Sequence, residues 1–141
     1  MLVNTRAVRI EWGDCDPAGI VFYPRYIAIF DACTNALVER AAGMSKYQLI
    51  QGNDFAGWAL VETRSRFLLP MRFGDEGVVE SSVTRLGRSS FAVHHRLRKD
   101  GDLAVECFET RVWSAPDPEN AGRIKSRAIP PEIAERLKSG E

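Results

Sequence analysis

Asp16, followed at once by Pro17, and Tyr23-Pro24 seven residues further on are the groups in this chain best arranged for chemistry. Pro17 and Gly19 hold Asp16 in a short irregular loop, and Tyr23-Pro24 reads as the opening of a long helix. A carboxylate so placed stands against a helix N-terminus, where unpaired N–H groups gather and the macrodipole is positive. The pair suits reaction at a carbonyl: the carboxylate attacks or activates water, and the helix end stabilises the oxyanion that forms.

Other reactive side chains are less well arranged. Cys15 shares the loop, but a nucleophilic thiol needs a base, and both histidines are distant in sequence. Asp14 reads as an acceptor that stabilises the loop. Asp31 and Glu39 fall on the helix; Asp31 is the alternative carboxylate, with a bond to backbone or arginine as its ordinary use. His94 and His95 are neighbours on a strand-like run and point to opposite faces. His95 shares its face with Phe91, Val93 and Leu97 and reads as packed and hydrogen-bonded, and neither histidine has a partner at metal-ligand or triad spacing. Trp12, Trp58 and Trp113 read as core or interface anchors, and Arg64 and Arg66 with Glu62 as an ion network.

The elements that must position these groups follow from periodicity and turn chemistry. Residues 3–12 alternate, with Val8, Ile10 and Trp12 on one side, and predict a strand. After the loop 13–23, Ile27, Phe30, Thr34, Leu37, Val38 and Ala41 recur at helical spacing from Pro24 to a stop at Gly43. Ala28, Ala32 and Ala36 form a second stripe of small residues, which predicts a helix lying deep against a sheet. A helical turn is expected at 46–50 and a loop at 51–57. Strands are expected near 58–69, 76–86, 89–99 and 103–113, separated by Pro70 with Gly74-Asp75, by Gly87-Arg88 and by Asp100-Gly101. Residues 114–121 read as a loop, 124–129 as a short strand and 131–137 as a terminal helix. One long helix followed by antiparallel strands predicts an α+β domain over residues 1–141 in which a sheet of five to six strands wraps the helix. Apolar residues on both faces of several strands predict at least a dimer, through edge strands or packed sheet faces.

The chain of 141 residues is the size of one domain, and 45% apolar with 27% charged residues is ordinary globular composition. Nineteen basic residues balance nineteen acidic ones, so no global field favours nucleic acid or a membrane surface, although Arg85, Arg88, Arg96 and Arg98 lie near one another. Three scattered cysteines form neither a disulfide framework nor a zinc pattern and read as reduced thiols of a cytoplasmic protein. Residues 1–9 lack the apolar run of a signal peptide, and nothing approaches the ~20 apolar residues of a membrane span.

Residues 13–24, Gly-Asp-Cys-Asp-Pro-Ala-Gly-Ile-Val-Phe-Tyr-Pro, together with Tyr26, resemble the signature of the 4-hydroxybenzoyl-CoA thioesterases, hotdog-fold enzymes that hydrolyse acyl-CoA thioesters. The order of strands and turns is similar over almost the whole chain. The resemblance implies a hotdog dimer, often a dimer of dimers and so a tetramer, with active sites at subunit interfaces. It implies Asp16 as the catalytic carboxylate and Tyr23 as the residue whose backbone N–H polarises the thioester carbonyl. Arg88, with Ser89 beside it in the turn Arg88-Ser89-Ser90-Phe91, and Arg127 match positions that bind CoA phosphates. The family's turn is richer in cations; Gly87 and Ser89 stand where more positive charge is usual.

Such a reaction needs few groups. A thiol of pKa about 8.5 departs as thiolate without a general acid, so one oxygen nucleophile and one oxyanion donor suffice, with no metal or cofactor. The substrate expected is an acyl-CoA, possible acyl groups being 4-hydroxybenzoyl or benzoyl. Two rival readings stand beside it. A hotdog hydratase would rely on a histidine in the loop or helix, and none occurs before residue 94. A non-catalytic acyl-CoA-binding module would keep Arg88 and tolerate loss of Asp16.

Overall fold

The structure, a computed structural model, describes residues 1–52 and 54–140; Asn53, in the loop expected at 51–57, and Glu141 lie outside the described residues. Helix α1, Tyr23–Ala42, begins and ends where local chemistry dictates. Pro24 sits in its first turn, and Gly43 closes it in the left-handed region at φ 70° with its N–H on the Glu39 carbonyl. The short helix α2, Lys46–Gln51, is started by a reciprocal cap between Ser45 and Gln48, and α3, Pro131–Ser139, closes the chain. No described helix is long and apolar enough to cross a membrane.

Six strands form one antiparallel sheet: β1 Val3–Arg9, β2 Gly57–Phe67, β3 Glu76–Leu86, β4 Ser90–Lys99, β5 Asp102–Pro116 and β6 Ile124–Ser126. Their order is β1-β3-β4-β5-β2, with β6 added to the end of β5. The run β3-β4-β5 is the expected meander, and its second turn has both Asp100 and Gly101 at positive φ, the backbone a tight hairpin requires. Strand β2 instead crosses to the far edge and pairs with β5 from Gly57↔Ser114 to Phe67↔Val105, and among the described residues no strand pairs with its other side. Register shifts at Leu60/Glu62, Val83/Arg85 and Leu97/Arg98 are the bulges that let a sheet curve around a helix.

The expected helix wrapped by an antiparallel sheet is therefore present, with local differences. The first strand ends at Arg9, and Trp12–Asp14 form a 3-10 turn, so Trp12 leaves the alternation of Val8 and Ile10 and is 77% exposed. Ser114, Ala115 and Pro116 belong to β5 rather than to a loop, because β6 supplies their partners. The stripe Ala28, Ala32, Ala36 lies exposed to half-buried in the protomer; the buried face of α1 is that of Tyr26, Phe30, Cys33, Thr34, Leu37, Val38 and Ala41.

That face divides the core in two. Phe30 and Tyr26 pack with Ile10, Met71, Leu97 and Val105, and Leu37 and Ala41 with Trp58, Phe91, Trp113 and Leu137. Between the two apolar halves lies a buried polar layer. Thr34 donates to Glu109 at 2.6 Å and lies 3.0 Å from His95 Nε2, while Ser81 Oγ lies 2.7 Å from His95 Nδ1. The consistent tautomer carries the His95 proton on Nε2, with Nδ1 accepting from Ser81. Arg111 donates to both Glu109 oxygens at 3.1 and 3.0 Å and meets Asp31 of α1 at 3.0 Å. His95 is thus the packed histidine expected. His94, on the outer face, bonds Glu106 at 3.1 Å and stacks on Phe108.

Candidate active site

The loop between β1 and α1 is built from its own polar groups. Asp14 Oδ2 accepts the Glu11 N–H at 2.8 Å and Oδ1 accepts from Arg25 Nε at 3.0 Å. The Asp14 carbonyl takes the N–H of Phe22, the residue before α1, at 2.8 Å, so this buried aspartate ties the 3-10 turn to the start of the helix. Its reading as a loop-stabilising acceptor holds. Asp31 likewise takes its expected arginine, Arg111.

Asp16 differs from both. Its Oδ1 accepts the Ala18 N–H at 2.9 Å, an Asx turn, and its backbone N–H and C=O close a bridge with Ile20 and Gly19. No cation pairs with it among the described residues, and Oδ2 has no recorded partner there. The half-buried side chain lines a cavity of about 430 Å³ with Trp12, Cys15, Pro17, Gly19 and Phe73. The carboxylate is oriented by one hydrogen bond, on Oδ1.

Tyr23 opens α1 after Phe22, which offers no side-chain cap. As the first helical residue it has no intrahelical acceptor for its N–H, and none is recorded among the described residues. Tyr23 lines an adjoining apolar cleft of about 260 Å³ with Ile20, Val21, Tyr26, Phe67, Leu68, Leu69 and Pro70. Asp16 and Tyr23 thus stand on two neighbouring concavities, parted by the Gly19–Ile20 peptide, and not in one pocket of the protomer.

The predicted phosphate contacts lie elsewhere. The Arg88 carbonyl accepts the Ile129 N–H, the Ser89 carbonyl accepts the Trp113 N–H, and the Arg127 N–H bonds the Trp113 carbonyl. These bonds gather Arg88, Ser89 and Arg127 at one sheet end. The side chains of Arg88 and Arg127 are exposed, and Arg127 pairs with Asp54 at 2.9 Å beside an apolar cavity of about 540 Å³. That end is the wrong one for a short path to Asp16. It flanks Ser90, the first residue of β4, whereas the Asp16 loop is tied through Ile10 and Asp75 to Lys99, the last. Nine strand steps lie between those two residues, about 30 Å. One protomer unites Asp16 with Tyr23 at neighbouring cavities but brings neither to Arg88 or Arg127.

Lys125 and Arg127 line a further concavity of about 430 Å³ with Ala115 and Pro116. The thiols divide by burial. Cys33 is pushed up to about 11 by burial, which Arg6 offsets only in part, and burial also raises Cys107, so neither serves as a nucleophile. Among the described residues no three His, Cys, Asp or Glu side chains are grouped as a metal-ligand set.

A long helix clasped by an antiparallel sheet is the architecture of a hotdog-type protein, and Asp16, with no cation paired to it among the described residues, lines a cavity near the helix start. A model of the Thioesterase superfamily matches residues 18–106, and the chain belongs to that superfamily; it is a thioester hydrolase, which sets aside the non-catalytic module. The match begins just past Asp16, includes Tyr23, Arg88 and Ser89, and ends before Arg127. The 4-hydroxybenzoyl-CoA thioesterase of Pseudomonas sp. (strain CBS-3) is 27% identical over 136 residues, which cover 93% of this chain and 94% of that one. A solved aspartate-to-asparagine mutant of 4-hydroxybenzoyl-CoA thioesterase, complexed with 4-hydroxybenzoyl-CoA, superposes with a TM-score of 0.87 at 26% identity, over 96% of this chain and 98% of that one. A gentisyl-coenzyme A thioesterase gives 0.83 at 28%, over 95% and 99%. The hotdog fold is shared with all three.

Proposed function

We propose that this enzyme hydrolyses an acyl-CoA thioester, with an aromatic acyl group such as benzoyl or 4-hydroxybenzoyl, to the free acid and CoA. Asp16 supplies the oxygen nucleophile, by direct attack or by deprotonating water, and the Tyr23 N–H stabilises the oxyanion. The observation that carries this reading is the sorting of three aspartates: Asp14 and Asp31 are neutralised by Arg25 and Arg111, whereas Asp16 keeps an oxygen and faces a cavity. The thioester carbonyl lies across the ridge between the Asp16 cavity and the Tyr23 cleft. The similar solved thioesterase in which an aspartate is replaced by asparagine holds its acyl-CoA, which fits a carboxylate needed for turnover more than for binding.

Phosphate binding by Arg88, Ser89 and Arg127 requires a second chain, and we read the enzyme as a dimer, assembled further into a dimer of dimers. The unpaired edge of β2 supports this. If two copies pair antiparallel along it, the Phe67 end of one meets the Gly57 end of the other, and the partner's Arg127 approaches the Asp16 side. The free cysteines fit a reducing, cytoplasmic setting.

The test is thiol release from benzoyl-, 4-hydroxybenzoyl- and short aliphatic acyl-CoAs. Asp16→Asn should lower kcat by about 10²–10⁴ with the fold intact. Full turnover by that variant would remove Asp16 from the mechanism, and no turnover of any substrate above buffer would remove the acyl-CoA assignment.

A further inference from the structure

The Asp16 cavity has an aromatic side that nothing in the fold requires. Trp12 and Phe73 meet edge to face, ring centroids 5.7 Å apart at 87°, and are 77% and 53% exposed. Neither belongs to the two core clusters. Each is nevertheless carried on a segment that is tied down. Trp12 begins the 3-10 turn closed by the reciprocal Glu11–Asp14 cap, and its carbonyl accepts the Cys15 N–H at 3.2 Å. Phe73 lies in a turn held by Arg72 N–H on Asp75 Oδ2 at 2.8 Å and Gly74 N–H on the Ile10 carbonyl at 2.9 Å. Two large rings fixed in water beside a reactive carboxylate are preorganised to take up apolar surface.

We infer that Trp12 and Phe73 form the wall against which a planar aromatic acyl group packs, and that they set which thioesters are hydrolysed. This deepens the proposed function and rests on Asp16 as the reacting group. A near-attack geometry puts the acyl carbon about 3–3.5 Å from the attacking oxygen. What is bonded to that carbon must then lie beside Asp16, where two ring faces are the largest walls. The adenine is remote, separated from the thioester by the whole pantetheine arm and the pyrophosphate. The cleft on the Tyr23 side, where Ile20, Val21, Leu68, Leu69 and Pro70 stand with Tyr23, Tyr26 and Phe67, takes the sulfur and the start of the arm. An aryl group stacked on Trp12 or edge-on to Phe73 gains contacts that a butanoyl chain does not.

Two measurements test this. Trp12→Ala and Phe73→Ala should each lower the ratio of kcat/KM for benzoyl-CoA over butanoyl-CoA by about tenfold, chiefly through KM for the aryl substrate. An unchanged ratio, or an equal fall on both substrates with dissociation of the oligomer, overturns the assignment and makes Trp12 an interface anchor. The second readout is independent of catalysis. Trp58 and Trp113 are each 2% exposed, so iodide-quenchable emission belongs to Trp12. Phenacyl-CoA, in which a methylene parts sulfur from the carbonyl and leaves no thioester, should protect that emission in wild type and in Asp16→Asn, while CoA alone should not. Equal protection by CoA, or none by phenacyl-CoA, sinks the inference. Failure of the Asp16 reading registers separately, as undiminished turnover by Asp16→Asn.

Discussion

Three aspartates within eighteen residues share one chemistry, and their neighbours alone separate them. Asp16→Asn keeps an oxygen for the Ala18 N–H, so the variant should unfold at the wild-type temperature while turnover falls; calorimetry beside the thiol assay checks both. Asp14→Ala should do the reverse. It removes the reciprocal cap and the Arg25 pair, at a cost of about 1–2 kcal/mol read from urea denaturation. Asp31 is half exposed, and Arg111 keeps Glu109 without it. Among the thiols only Cys15 is not buried, and burial raises the other two. Iodoacetamide on the native protein should therefore label Cys15 first, as peptide mapping would show.

At the scale of the element, α1 is held by the polar layer as much as by its apolar halves. Burial alone would raise the Glu109 carboxyl, but bonds from His95 and Arg111 outweigh it and leave it at about 2, against an ordinary 4.5. A carboxyl depressed in the folded state contributes stability that is fully present above its unfolded pKa and is lost as pH falls through the folded one. The midpoint of urea unfolding should thus drop between about pH 5 and pH 2, with Glu109 accounting for a few kcal/mol. Glu109→Gln should flatten that dependence and lower stability at pH 7 by about 3 kcal/mol, because Arg111 is left buried with one carboxylate instead of two. At the helix end, Gly43 at φ 70° forces strain on any side chain, and its Cβ would meet the Arg136 guanidinium at 3.4 Å. Gly43→Ala should cost about 1 kcal/mol or more.

For the whole molecule, the distance between the two ends of the sheet is what the proposed dimer must bridge. The proposed phosphate contacts and the proposed carboxylate sit at opposite ends of β4, so a protomer by itself does not hold both ends of an extended CoA thioester. The dimer reading predicts that activity and association fail together. Val61, 60% exposed where β2 bulges, is a suitable position. Val61→Pro should shift sedimentation from dimer to monomer and abolish turnover while the circular dichroism of the fold persists. A fully active monomer would refute the shared site.

Local signals were legible because they are written in neighbouring residues. Pro24 and Gly43 bracket α1, Asp100-Gly101 supplies the two positive-φ residues of the tight turn from β4 to β5, and alternation located β2 to β5 within one or two residues, apart from the β5 end. Asp16 and Tyr23 stood out for the same reason, since loop and helix start are adjacent in the chain. What sequence alone left open was every choice among distant partners. Trp12 fitted the alternation of Val8 and Ile10, yet the cap between Glu11 and Asp14 turned it into water. Glu109 and Arg111 broke an inward apolar face with no local hint that His95, Thr34 and Asp31 would meet them. Period and turn chemistry determined the helix, the strands and the position of the loop that carries Asp16. Tertiary packing alone decided that β2 crosses to the far edge of β5, which aspartates are neutralised, and that Arg88 and Arg127 lie a sheet's length from Asp16, because pairing between segments far apart in the chain is selected by the burial and hydrogen bonding of the whole.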